Sequence, residues 1–377
     1  MKHKMIDYLD LTAPGIAELH PYVPGKPISE LERELGITDS IKLASNENPL
    51  GPSPLGMAAA VKAVADINIY PDDSSFRLRN ALAARYELEA DSIIVGSGSS
   101  DVIDMVVRAF LTPGRNAVFS EHAFAMYPIY TQAAGAEGKV ARPLPADHSS
   151  MPYGHDLEAM AALVDYNTRV VFIANPNNPT GTWLKTDALI AFLDQLPGHV
   201  ITVLDEAYTE YVSEADFPNG LELLLAYPNL IVTRTFSKIY GLAGLRVGYG
   251  IAGRELISLI GRVRHPFNVN SPALAAAEAA LNDVDFVARS VEVNRLGLIQ
   301  LRQGFEALGL KAIPSVGNFI SVDLQRNGAQ VNDALLREGV VVRPVANYKL
   351  PNHLRISVGT AAQNERFLMA LDKVLEQ

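Results

Sequence analysis

Short apolar runs rich in β-branched residues alternate along the chain with stretches whose apolar positions recur every three or four residues. The first pattern is typical of buried strands and the second of helices that pack on one face. Strand and helix patterns that alternate in this way predict an α/β fold with a mostly parallel sheet. Ligands of such sheets bind beyond the carboxyl ends of the strands, so the residues after each run are the candidates for a functional site. The runs lie at 93–95, 117–119, 170–173, 200–204 and 230–232.

The pattern changes after Pro272. An alanine-rich helical stretch reaches Leu281, and a longer helical pattern and two strand-like runs follow it. We therefore expect a smaller C-terminal domain at residues 269–377 beside a large domain at residues 41–268. The first 40 residues contain several prolines, which exclude a long helix, so residues 1–40 are expected to form an extended arm packed on the smaller domain.

The amino-acid composition excludes several classes of function and partner. The 377 residues are 48% hydrophobic and 20% charged, as in ordinary globular proteins. The formal charge of -10 repels nucleic acid and anionic membranes, so an anionic ligand must be bound by local cations. The chain has no cysteine, which excludes disulfides and thiolate chemistry, and it has no apolar run long enough to span a membrane. We expect a cytoplasmic protein without a nucleic acid, membrane or metal partner.

The strand at 200–204 is followed by Asp205 and, three residues later, Tyr208. An aspartate at the end of a strand is more often a cap or turn residue than a catalytic group, so this motif alone is weak. Two chemical groups nevertheless reach the edge of the sheet where ligands bind.

The next strand leads to Thr235, Ser237 and Lys238, with Arg246 eight positions further on. An amine next to hydroxyls and a guanidinium suits imine formation beside a bound phosphate. A lone surface lysine is the alternative interpretation. Glycines at 241 and 244 would let the backbone approach a ligand closely, and they favour the functional interpretation.

Two further strand ends carry polar turns. The turn at 175–181 contains three asparagines and two prolines, and the turn at 96–101 contains Ser99 and Ser100 before a helical pattern. Free N–H groups at the start of a helix bind phosphate well. The glycine spacing differs from the dinucleotide-binding pattern, although a nucleotide-binding module stays an alternative.

Taken together and in this order, these motifs resemble the fold type I pyridoxal-phosphate-dependent aminotransferases of class II over nearly the whole chain. Segments 20–27 and 42–54 are similar to the histidinol-phosphate aminotransferases. The resemblance implies a large domain with a mostly parallel sheet, a smaller α/β domain, an N-terminal arm, a homodimer and bound pyridoxal 5'-phosphate.

The resemblance also implies roles for individual residues. Lys238 would bind the cofactor as a Schiff base and later transfer the substrate proton. Asp205 would pair with the pyridine nitrogen, and Phe124 would stack on the ring where many relatives have tyrosine. The remaining residues expected to bind the cofactor are Ser99, Ser100, Asn178, Tyr208, Thr235, Ser237, Arg246 and, from the neighbouring subunit, Tyr70.

For the substrate, Arg355 matches the arginine that binds the carboxylate in this family. With Arg343 and Tyr22 it would bind the phosphoester of histidinol phosphate instead, and Asn46 completes the expected set. The leading hypothesis is amino transfer between histidinol phosphate and 2-oxoglutarate, which yields imidazole-acetol phosphate and glutamate. An aromatic aminotransferase, a phosphothreonine decarboxylase and a cofactor-free binding protein stay open as alternatives.

Overall fold

The structure is a computed structural model that describes residues 6–22 and 24–376, so residues 1–5 and 23 of the expected arm lie outside it. The strands in chain order are β1 (Ile41–Lys42), β2 (Ile93–Gly96), β3 (Asn116–Ser120), β4 (Glu137–Ala141), β5 (Thr168–Ala174), β6 (Ile201–Asp205), β7 (Leu230–Thr235), β8 (Gly248–Ala252), β9 (Lys311–Ala312), β10 (Phe319–Asp323), β11 (Val340–Val341), β12 (Arg343–Pro344) and β13 (His353–Ser357).

The α-helices lie between these strands and at both ends of the chain. They are α1 (Ile28–Leu35), α2 (Pro54–Ala63), α3 (Phe76–Tyr86), α4 (Ser99–Phe110), α5 (Met126–Ala133), α6 (Leu157–Ala162), α7 (Thr186–Leu193), α8 (Gly220–Leu223), α9 (Arg254–Gly261), α10 (Ser271–Ala280), α11 (Val284–Ala307), α12 (Gly328–Arg337) and α13 (Ala361–Leu375).

The central sheet has seven strands in the order β2-β8-β7-β6-β5-β3-β4. Strands β3 to β7 pair in parallel, and β8 is antiparallel to both of its neighbours. Helices pack on both faces, so β5, β6 and β7 are buried almost throughout. This explains their continuous apolar sequences, which made them predictable. Their carboxyl ends lie side by side and form the edge that carries the site.

The antiparallel strand β8 was not predicted from the sequence, because its glycines weaken the strand pattern. In the structure these glycines make room for α4. A Cβ atom on Gly250 would lie 2.7 Å from Cγ1 of Val102, and one on Gly248 would lie 2.4 Å from the backbone nitrogen of Ser99. The sheet therefore needs glycine at these two positions so that the start of α4 can reach the site.

A second, antiparallel sheet has the order β12-β13-β10-β9, and β1 pairs in parallel with β11. The hydrophobic core next to this second sheet contains residues from β1, β10, β13, α12 and α13. It also contains Leu298 and the later part of α11. Helix α10 and the earlier part of α11 instead pack in the core that contains β2 and β8. We therefore propose that the two domains divide within α11 rather than at residue 269.

The N-terminal segment contacts both parts of the molecule. Leu31 of α1 packs with Ala44 and Val341, next to the smaller sheet. Further towards the N-terminus, the backbone oxygen of Gly15 accepts a 3.0 Å hydrogen bond from Nε2 of Gln132 in α5. Within the described parts of the chain, no helix combines the length and apolar character that crossing a membrane requires.

Candidate active site

A cavity of about 450 Å³ lies at the carboxyl ends of β5, β6 and β7, between the larger sheet and β13 of the smaller one. It is where the α/β pattern predicts a ligand. The predicted site residues that line it are Tyr22, Asn46, Ser99, Ser100, Phe124, Asn178, Asp205, Tyr208, Thr235, Ser237, Lys238, Arg246 and Arg355. Of the predicted residues, Tyr70 and Arg343 lie outside this cavity.

Asp205 is the last residue of β6 and is almost fully buried. Its Oδ2 atom accepts a 2.9 Å hydrogen bond from the Tyr127 hydroxyl, and Oδ1 accepts a 3.2 Å bond from the Thr233 hydroxyl. Burial raises the pKa of Asp205 to about 6, although these hydroxyls favour the ionised form. The carboxylate has neutral hydrogen-bond donors and is suited to receive a cationic ligand group.

Lys238 follows β7, and its Nζ atom lies 3.2 Å from the backbone oxygen of Ser45 and 5.6 Å from the centre of the Tyr208 ring. Burial lowers the pKa of Lys238 to about 7, and the charge of Arg355 lowers it further. At neutral pH a large fraction of this amine is therefore unprotonated, as a nucleophile or a proton acceptor must be.

One end of the cavity is built to bind an anion. Helix α4 begins at Ser99, so its free N–H groups point into the cavity. Nη1 of Arg246 lies 3.3 Å from the hydroxyl of Ser237. A Cβ atom on Gly98, which has a φ of +87°, would lie 2.5 Å from Nη2 of Arg246. Glycine is thus required for the guanidinium to lie against this loop.

The opposite end is formed by Arg355 of β13, which is buried. Its Nη1 and Nη2 atoms donate to Oδ1 of Asn178 at 2.5 Å and to the backbone oxygen of Ala44 at 2.6 Å. Nε makes no hydrogen bond with another described residue. Burial lowers the pKa of Arg355. Both acceptors are neutral oxygen atoms, so the positive charge stays available for an anionic substrate group.

Tyr208 and Asn46 close the wall between these two ends. Nδ2 of Asn46 donates a 2.9 Å hydrogen bond to the Tyr208 hydroxyl, and burial raises the pKa of Tyr208. The Tyr208 ring also contacts the edge of Phe319, with ring centres 5.1 Å apart. Both side chains are therefore fixed before any ligand binds.

The two predicted residues outside the cavity have different surroundings. Arg343 lies on β12 opposite Arg355 and lines a neighbouring cavity of about 530 Å³. Its guanidinium lies 5.4 Å from the ring of Tyr22, which lines both cavities. Tyr70 is 79% exposed and stacks on Phe267 with ring centres 4.6 Å apart.

Sequence reasoning missed Tyr127 and Tyr130, which lie on α5 close to Phe124. Tyr130 lines the cavity, and Tyr127 lies beneath it and reaches Asp205. The contact between Tyr127 and Asp205 joins residues 78 positions apart. The three-residue spacing from Phe124 gave the only signal, because it puts Tyr127 one helical turn away from the stacking residue.

This donor set fits a flat ligand with an anionic end and a protonated ring nitrogen. The start of α4, Ser237 and Arg246 suit a phosphate dianion, and Asp205 suits a cationic ring nitrogen. Phe124 offers an aromatic face between them. Pyridoxal phosphate has these features, so the residues fit the cofactor that the sequence motifs implied.

The chain is similar to known aminotransferases over nearly its whole length. The family model described as aminotransferase class I and II matches residues 38–371. The chain is 57% identical to histidinol-phosphate aminotransferase 2 of Pseudomonas fluorescens strain Pf-5, over 98% of each chain. It is also 57% identical to histidinol-phosphate aminotransferase 2 of Methylococcus capsulatus strain Bath, over 97% of this chain and 98% of the relative.

Solved structures extend this likeness to the fold. The crystal structure of histidinol-phosphate aminotransferase from Sinorhizobium meliloti in complex with pyridoxal-5'-phosphate is 29% identical and superposes with a TM-score of 0.88, over 97% of both chains. A mutant aspartate aminotransferase of Thermus thermophilus, 22% identical, has a TM-score of 0.83 over 96% of this chain and 99% of its own. The expected fold type I architecture is confirmed, and the chain belongs to the aminotransferase class I and II family.

Proposed function

We propose that this chain is a pyridoxal-phosphate-dependent histidinol-phosphate aminotransferase of histidine biosynthesis. It would transfer the amino group between L-histidinol phosphate and 2-oxoglutarate. The observation that carries the proposal is a single cavity with two cationic ends, at Arg246 and at Arg355, and a partly unprotonated Lys238 inside it. Relatives 57% identical over 98% of the chain carry the same function in their names.

When bound, pyridoxal phosphate supplies an aldehyde that combines with amines and a ring that accepts electrons. Asp205 holds the proton on the ring nitrogen, which makes the ring a better electron acceptor. Arg246, Ser237 and the start of α4 hold the phosphate, and Phe124 covers the ring. Together these residues would orient the bound ring with respect to Lys238.

Lys238 would then act as the base. With a pKa of about 7, its amine accepts the proton from the substrate carbon that bears the amino group and can donate it again at the same pH. Arg355 would bind the phosphoester of histidinol phosphate and, in the second half-reaction, a carboxylate of 2-oxoglutarate. Its planar guanidinium forms paired hydrogen bonds with either anion.

A homodimer is part of the proposal. Exposed apolar side chains cover α2 and the segment after it, and a contiguous apolar surface of this kind is typical of a subunit interface. Tyr70 lies at its end, next to a loop that Asp73 fixes through two hydrogen bonds with Arg264. Tyr70 would thereby reach the cofactor phosphate of the neighbouring subunit. Gel filtration that gives a fully active monomer would contradict this. The cytoplasmic location stays a prediction.

The test is a matched comparison of kcat/KM for histidinol phosphate and phenylalanine with 2-oxoglutarate as acceptor. We expect a preference of about a hundredfold or more for histidinol phosphate, which corresponds to about 2.7 kcal/mol of transition-state binding. Nearly equal values would instead support an aromatic aminotransferase, because Arg355 can bind a carboxylate as well as a phosphoester.

A further inference from the structure

We infer that Tyr127 is a positioning residue whose hydroxyl holds the Asp205 carboxylate in the ionised and oriented state that binds the cofactor's ring nitrogen. The inference rests on the role proposed above for Asp205. Tyr127 would not touch the cofactor or the substrate itself, and it would act through Asp205.

The geometry of Tyr127 is fixed by packing on two sides. Its ring is fully buried and stacks on Phe172 of β5, with ring centres 4.7 Å apart and planes 6° apart. It also makes a T-shaped contact with the Phe124 ring, with ring centres 5.7 Å apart and planes at 86°. Phe172 belongs to the sheet and Phe124 to the cavity wall. The hydroxyl is therefore held at one place relative to both.

The hydroxyl has a single acceptor among the described residues, Oδ2 of Asp205 at 2.9 Å. Packing of the ring does not need this oxygen, because a phenylalanine would fill nearly the same volume. A buried hydroxyl is costly unless it forms a hydrogen bond, so its presence is explained by the carboxylate. Burial also raises the pKa of Tyr127 well above its usual value, so the group stays a donor at every working pH.

The other groups around Asp205 do not replace this contact. Thr233 donates to Oδ1 over a longer distance, 3.2 Å. Tyr208 uses its hydroxyl oxygen to accept from Asn46, and Glu206 forms a bidentate ion pair with Arg234. Lys238, Arg355 and Tyr348 are further titratable groups of this region, and the backbone N–H of Ala207 favours the ionised carboxyl less than Tyr127 does. Tyr127 is thus the main donor that opposes the effect of burial on the carboxyl.

The experiment compares wild type with Tyr127→Phe in the holoenzyme, using pyridoxal phosphate isotopically labelled at its ring nitrogen. Nitrogen NMR reports directly whether that atom carries a proton. Loss of a hydrogen bond to a charged group should lower the apparent pKa of the ring nitrogen by about one pH unit. The proton would then move towards Asp205. Tyr249→Phe is the matched control, because it removes one buried hydroxyl whose partner among the described residues is the Tyr86 hydroxyl at 2.7 Å.

Thr233→Val provides a second variant. It removes the longer hydrogen bond, so its shift should have the same direction and be smaller. Equal titration of wild type and Tyr127→Phe would overturn the inference. So would equal shifts in Tyr127→Phe and Tyr249→Phe, or a larger shift in Thr233→Val, because each would mean that the Tyr127 hydroxyl has no special effect.

A measurement on the apoprotein separates this inference from the proposed function. If Tyr127 favours the ionised carboxyl, the unfolding free energy of Tyr127→Phe should fall further below wild type as the pH rises from about 5 to about 7.5. The gap for Tyr249→Phe should stay constant. A widening gap in a protein that fails to bind pyridoxal phosphate would support the contact between Tyr127 and Asp205 and contradict the proposed function. A constant gap in a protein that binds pyridoxal phosphate would contradict the inferred effect of Tyr127 on Asp205 and leave the proposed function supported.

Discussion

Asp205 and Glu206 are neighbours at the end of β6 and both are buried, yet they face opposite sides of the sheet with different partners. Glu206 accepts two hydrogen bonds from Arg234, at 2.9 and 2.7 Å, and one from the backbone nitrogen of Gly220 at 2.8 Å. Asp205 accepts hydrogen bonds from hydroxyl groups. One carboxylate is neutralised by an ion pair within the fold, and the other faces the cavity without an ion-pair partner among the described residues.

Two buried arginines differ in the same way, because one has a charged partner and the other has neutral partners. Arg234 has the carboxylate of Glu206 as its partner, whereas the partners of Arg355 are the neutral oxygens of Asn178 and Ala44. A buried charge without a counter-ion is costly, and such charges are concentrated at functional sites. The buried charges that face the cavity are therefore the ones without an ion-pair partner among the described residues, whereas the paired charges stabilise the fold.

The largest effect should come from Lys238→Ala. This change removes the amine that accepts and donates the substrate proton, and turnover should fall on the order of 10⁴-fold or more. The fold should be unchanged, because Nζ makes a single long hydrogen bond of 3.2 Å. Steady-state kinetics and a thermal melt of the same sample check both parts. Retained turnover would disprove the central assignment.

Glu206→Gln tests whether the buried ion pair between Glu206 and Arg234 stabilises the fold. It removes the carboxylate that forms the ion pair with the buried guanidinium of Arg234 and leaves Glu210 as a weaker counter-charge. We expect a loss of about 3–5 kcal/mol in the unfolding free energy. Urea denaturation measures it. A loss below about 1 kcal/mol would mean that the ion pair does not stabilise the fold, and the contrast with Asp205 would fail.

Asp205→Asn should raise the unfolding free energy of the apoprotein, whereas Glu206→Gln should lower it. The pKa of Asp205 is about 6 in the folded state and 3.8 in its ordinary state. The folded protein therefore binds more protons than the unfolded chain between about pH 4 and 6, so the contribution of this group to stability falls as the pH rises through that window. The total loss is about 3 kcal/mol, and the asparagine variant should lack it.

Urea denaturation of wild type and Asp205→Asn at about pH 5 and about pH 7.5 measures this difference. We expect the variant to gain stability relative to wild type at the higher pH, while its turnover as holoenzyme falls sharply. A variant that is less stable than wild type at both pH values would contradict the view that Asp205 is held in the fold at a cost.

How much of this was visible in the sequence depends on the distance between the partners along the chain. Asp205 ends β6, and Lys238 and Arg246 lie between β7 and β8, so the strand pattern and the motifs were sufficient to predict that they line the cavity. The neutral environment of Arg355 was not predictable, because Ala44, whose backbone oxygen accepts one of its hydrogen bonds, is 311 positions away in the sequence. Strand β8 was missed since its glycines serve the packing of α4, a tertiary requirement that local patterns do not reveal.

Arg355→Lys should have an intermediate effect. Lysine keeps the charge and loses the paired hydrogen bonds, so kcat/KM for histidinol phosphate should fall about 10- to 100-fold, mainly through KM. Arg343→Lys is the matched control, and it should cost less because Arg343 lies outside the cavity. Equal losses in steady-state kinetics would mean that both arginines contact the substrate directly.

Phe124→Tyr should have the smallest effect on turnover, and it tests whether the stacking residue influences the charge of Asp205. The aromatic face over the cofactor is retained, so we expect kcat to change less than about threefold, which is under about 1 kcal/mol. Phe124 meets Tyr127 in a T-shaped ring contact and takes no part in the side-chain hydrogen bonds of Asp205 among the described residues. The pH dependence of kcat should therefore match that of wild type. If it shifts instead, the stacking residue takes part in controlling the charge of Asp205, in addition to Tyr127, Thr233 and the backbone N–H of Ala207.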